Sequence, residues 1–146
     1  MTDRSLFVPG APAPQGSKRH VGGGVMVESS KRLRPWRATV TGAIVDAGWQ
    51  HDPILAGPVR VTLTFAMPRP KHHYGTGRNA GVLRAAAPVW HEGRGDADKL
   101  ARAVLDALTD SGAIRDDGQV AWLTVSKVYA QQPGVSILLG RIGADA

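Results

Sequence analysis

The chain has 146 residues, 42% of them hydrophobic and 21% charged, with a net charge of +6 and no cysteine. That is one globular domain's worth of sequence, and it excludes a disulfide framework, a thiolate zinc site and a cysteine nucleophile. No apolar run reaches the roughly 18 residues of a membrane span, and Leu6 to Val8 is too short for a signal peptide, so neither is expected; the lack of cysteine is compatible with a reducing cytoplasm.

Ser5 to Val8 reads as a short strand ended by Pro9, and the Gly- and Pro-rich stretch Gly10 to Gly24 reads as a loop. Apolar residues at Trp36, Val40, Ala43, Ile44 and Ala47 have helical spacing, which predicts a helix over 36–47 with Gly48 as its stop. Val59, Val61, Leu63, Phe65 and Met67 alternate with Arg60, Thr62, Thr64 and Ala66, the period of a strand with one buried face. Pro68 and Pro70 end it. Residues 69–95 carry five basic residues and three His with little periodicity, and read as a long loop. A second helix is expected over 98–109, striped by Leu100, Val104, Ala107 and Leu108, with Asp98 as its N-cap. Val120 to Tyr129, with Ala121, Leu123 and Val125 on one face, and Val135 to Leu139 complete the order as two strands. The expected fold is a single α+β domain over 1–146: a small mixed sheet with two main helices packed on one side.

The charge is unevenly placed. Residues 1–60 hold eight Lys/Arg against four Asp/Glu, residues 61–95 five against one, and residues 96–146 five against seven. A basic excess suggests a polyanionic partner, most often nucleic acid; the plainer alternative is solubility. Six of the twelve acids lie between Asp96 and Asp117. Asp96 and Asp98 are two apart, a spacing that lets both carboxylates share one cation in an extended segment. Asp116 and Asp117 precede the next strand, so a short return could bring three or four carboxylates together. Such an oxygen set suits Mg²⁺, with Mn²⁺ as the alternative. The competing reading is that these Asp residues are helix caps and an Asp-Asp-Gly turn.

The run Gly95 to Val120, GDADKLARAVLDALTDSGAIRDDGQV, resembles the core of the RusA-like Holliday junction resolvases, endodeoxyribonucleases of phage and prophage origin. Asp96, Asp98, Lys99 and Leu100 match the family's first motif, Asp106, Ala107 and Leu108 a middle segment, and Asp116, Asp117 and Val120 its ending. The resemblance implies a homodimer that binds four-way DNA junctions in recombination and repair and cuts two opposed strands with Mg²⁺ and no small-molecule cofactor. It places the work in a bacterial or phage-infected host cytoplasm. Asp96, Asp98 and Asp117 would then be the metal-binding catalytic acids, with Asp116 and Lys99 secondary. Arg102 stands where family members carry a catalytic lysine; it can bind phosphate but cannot release a proton. On residue spacing alone, Asp106 is expected to pair with Arg102 at i, i+4.

Lys18 and Arg19 in the first loop, and Lys71, Arg78, Arg84 and Arg94 in the long loop, are candidate phosphate contacts. His72, His73 and His91 form no convincing zinc set. Of the four Trp, Trp36, Trp49 and Trp122 read as core or dimer contacts, and Trp90, beside the basic loop, as a candidate base-stacking group. Two readings compete with a junction resolvase: a non-catalytic basic DNA-binding module, and a nuclease for other branched DNA.

Overall fold

The computed structural model describes residues 3–15, 18–20, 26–28 and 31–143, with the short stretches 18–20 and 26–28 described for the backbone alone. The chain runs β1 (Arg4–Pro9), β2 (Lys18–His20), β3 (Met26–Glu28), α1 (Leu33–Asp46), β4 (Val59–Pro68), α2 (Ala97–Asp110), β5 (Val120–Ala130) and β6 (Gly134–Arg141). The main sheet has the order β1-β6-β4-β5. β4 and β5 are parallel, while β6 is antiparallel to both β4 and β1. The expected α+β fold with a small mixed sheet and two helices is present.

The period-two pattern of β4 does what it predicts. Val59, Val61, Leu63 and Phe65 are fully buried, and they meet Val135, Ile137 and Leu139 of β6. Against this face pack Trp36, Val40 and Ile44 of α1 and Leu100, Val104, Ala107 and Leu108 of α2. The opposite face carries Ser5, Phe7, Thr62, Thr64 and Ser136, all at least partly open to solvent. Arg37 ties the helices together, with Nη2 2.7 Å from Asp110 Oδ2 and Nη1 3.6 Å from Asp106 Oδ2.

Several expectations need correction. The stretch 10–24 is not all loop, because Lys18–His20 pairs antiparallel with Met26–Glu28. The first helix starts three residues earlier than its periodicity shows, at Leu33, whose side chain is buried. Asp96, not Asp98, occupies the N-cap position of α2, and Asp98 lies in the first turn. Gly95 explains the shift: its φ of +97° turns the chain sharply into the helix, a conformation that favours glycine. In β5 a register irregularity beside Val59 and Arg60 takes Ala121 out of the pairing. Leu123 is 41% exposed, because β5 is an edge strand.

Segment 69–95 is not structureless either. It holds two short 3-10 turns, Lys71–His73 and Gly77–Asn79, and Tyr74 bridges back to Leu83. Its far end lies along β5: Trp90 bridges Val128, His91 N donates to Lys127 O at 3.1 Å, and Tyr129 N donates to Val89 O at 2.9 Å.

Candidate active site

Two groups of acids sit at the two ends of α2. Asp96 and Asp98 are exposed at its N-terminus. This is the end of a helix that favours negative charge, since the first backbone N–H groups point outward there. Lys127 of β5 fixes the approach, its Nζ donating to Gly95 O at 2.8 Å and reaching Gly93 O at 3.4 Å. Lys99 lies in the same first turn, and its carbonyl accepts from Gln15 N at 3.0 Å. Arg102 follows one turn on and is exposed.

Asp116 and Asp117 lie past the other end, in a 3-10 turn Asp117–Gln119 that opens β5. Asp116 Oδ1 accepts from Gly118 N at 3.2 Å. Gln119 completes the reciprocal cap: its Oε1 accepts from Arg115 N at 2.8 Å and Asp116 N at 3.2 Å. Its Nε2 donates to Ile54 O and Gly57 O, both at 3.0 Å, which fastens this turn beside the start of β4. The Gly118 N–H and then the Asp117 side chain hold the Asp116 carboxyl below the usual carboxylate range. Asp117 is pushed up, first by its hydrogen bond with Asp116, then by burial and by the charges of Asp116 and Asp106, with Arg102 opposing.

The two groups therefore do not converge within one chain. Gly95 is tied to the late part of β5, whereas the 116–119 turn is tied to Ile54 and Gly57, ahead of β4. Between them runs α2, and Asp117 feels the charges of Asp106 and Arg102 along that helix. Among the described residues, no group of three or more His, Asp or Glu is placed to hold a metal ion. Among the described residues the expected convergence of three or four carboxylates within one chain is therefore not present. The expected Arg102–Asp106 pair is corrected too, since Asp106 faces Arg37 of α1. The donor chemistry of Asp96 and Asp98, paired carboxylate oxygens, still fits a hard cation such as Mg²⁺, as two ligands of an incomplete set.

Lys71, Arg78, Arg84 and Arg94 are all exposed on segment 69–95. The side chains of Lys18 and Arg19 lie outside the described residues. Sequence reading missed Lys127, Gln119 and Tyr129. Lys127 had a signal, as the single charged residue in the strand Val120–Ala130. Gln119 had none, because its role depends on two carbonyls more than sixty residues away.

Residues 9–139 match the family described as Endodeoxyribonuclease RusA. The chain is also 27% identical over 136 residues to the uncharacterized protein YqaN of Bacillus subtilis (strain 168), an alignment covering 90% of this chain and 88% of that one. Among the described residues no helix is long and apolar enough to cross a membrane.

Proposed function

The chain belongs to the endodeoxyribonuclease RusA family, and from that premise we propose that it is a Mg²⁺-dependent, structure-selective endonuclease that resolves four-way DNA junctions. It would serve recombination and repair in the cytoplasm. The observation that carries the reading is the exposed Asp96–Asp98 pair at the N-terminus of α2, fastened through Gly95 and Lys127 to the end of a strongly basic segment. Acids beside phosphate-binding residues oppose DNA binding unless a cation stands between them. When bound, Mg²⁺ supplies a water activated at neutral pH and charge neutralisation at the phosphodiester. Asp96 and Asp98 hold and orient the ion. Arg102 stabilises charge on the phosphate and leaves proton transfer to water. The basic residues of segment 69–95 position the backbone of the DNA.

Asp117 completes the ligand set from a second copy of the chain. Among the described residues of its own chain it joins no group of three placed to hold an ion, and a two-fold axis supplies it from outside. The outer edge of β5 supports a second copy. Its late half is covered by Val89 to His91, whereas Trp122 and Leu123 of its early half are 54% and 41% exposed, on a stretch with no charge and no proline. Such an edge is a template for pairing with another strand. Antiparallel pairing of two β5 edges would carry each Asp117 toward the late half of the other β5, where Lys127 holds Gly95.

The test is cleavage of a four-way junction, a flap and a linear duplex with and without Mg²⁺. The junction should be cut only with the ion. Asp98→Asn should bind the junction within about twofold of the parent and lose at least about a hundredfold in cleavage, the scale expected when a metal ligand goes. Undiminished cleavage by that variant would refute the assignment. Salt-sensitive binding with no nicking of any DNA would favour the non-catalytic module.

A further inference from the structure

Segment 69–95 carries more structure than phosphate binding requires. Two cavities open side by side on it. One, of about 380 Å³, is walled by Trp90, Tyr129, His72, His73, Arg84 and Glu92. The other, of about 650 Å³, is lined by Lys71, Tyr74 and Thr76 and shares His72 and Arg84 with the first. Trp90 is 66% exposed, more than any other large apolar side chain among the described residues.

The indole is not carried by a loose loop. Its backbone bridges Val128, and hydrogen bonds from His91 to Lys127 and from Tyr129 to Val89 flank it. The floor beneath is rigid as well. The Tyr129 ring meets His73 edge-on at 4.7 Å and His91 at 4.9 Å, and the Arg69 guanidinium stands 5.3 Å over it. Arg69 is itself anchored on Pro88 O at 2.8 Å. Arg84 Nε donates to His72 O at 3.1 Å, which holds its guanidinium at the mouth common to both cavities.

A large flat ring kept in water at a fixed place suits another flat ring. The walls sort the rest of the ligand. Glu92 repels a phosphate and accepts from a base amino group. Lys71 and Arg84, on the other side, attract a phosphate. We propose that these two cavities hold one nucleotide of the DNA substrate unstacked at the branch point, its base stacked on Trp90 and its phosphate on Arg84 and Lys71. The inference rests on the reading that the substrate is DNA. It adds how branched DNA is told from linear: within a duplex both faces of each base are covered, so an indole finds a free face only where stacking is interrupted, as at a branch point or in an unpaired tract. Lys127, which accepts from His91 and donates to Gly95, links the stacking site to the Asp96 end of α2.

The experiment measures binding of the full chain in EDTA, so that nothing is cut, to two fluorescein-labelled DNAs at one salt concentration. One is a linear duplex, and the other is the same duplex interrupted by an unpaired tract of four dA. Trp90→Ala should weaken binding to the interrupted DNA about tenfold and to the linear duplex less than about twofold, the loss of one stacked base. Trp90→Phe, which keeps a ring, should recover most of it. Equal losses on both DNAs, no loss on either, or Phe as poor as Ala would overturn the stacking site and leave the nuclease reading standing. Failure of the parent protein to bind either DNA would overturn both.

Discussion

Gln119 makes four hydrogen bonds with one side chain, two to N–H groups of its own turn and two to carbonyls ahead of β4. With about 0.5 kcal/mol net for each bond, the low end of the usual range and fitting a part-exposed side chain, Gln119→Ala should cost about 2 kcal/mol. A melting curve lowered by several degrees checks this, and an unchanged curve would show the turn to be held by other contacts. Both neighbouring acids survive that substitution, so it separates the scaffold of Asp117 from its chemistry. The Asp-Asp-Gly turn was legible in the sequence, because Asp before Gly hydrogen-bonds its own backbone two residues on, as Asp116 does with Gly118. The N-cap of α2 was misplaced by two residues. Both Asp96 and Asp98 are suitable cap types, and only the backbone of Gly95 decides between them.

Among the elements, β4 was readable almost to the residue, since one face is buried by helices and the other is not, and that asymmetry writes a period of two. Segment 69–95 was not, because its order comes from contacts with Lys127, Val128 and Tyr129 and leaves no period in its own sequence. Two histidines make this docking pH-sensitive. Burial, then the charges of His72 and Arg69, hold His73 below the ordinary histidine range. Burial, then Lys127, does the same to His91. Both imidazoles take protons less readily when folded than when unfolded, where protonation sets in below about pH 6.5. The segment's stability is therefore whole above that value and falls as pH drops through it. Amide exchange at His91 and Tyr129, corrected for intrinsic rate, should show weaker protection at pH 5.5 than at pH 7.5. Equal protection would mean that neither imidazole is coupled to the docking.

At the scale of the whole molecule, the charge of +6 divides into a basic surface and an acidic helix with carboxylates at both ends. The sequence made these acids look like one cluster because they lie within 22 residues of chain. Closeness in number does not bring them to one point: among the described residues the fold of one chain leaves the set incomplete. The account therefore rests on two chains sharing two sites. Mixing the Asp98→Asn and Asp117→Asn variants tests this most directly. In a mixed dimer with shared sites, one site carries both substitutions and the other carries neither. Each variant alone should be inactive, and the mixture, after subunit exchange, should nick a four-way junction in Mg²⁺ at a substantial fraction of the parent's rate. A mixture as inactive as its parts, beside a parent protein that cuts, would contradict the shared site.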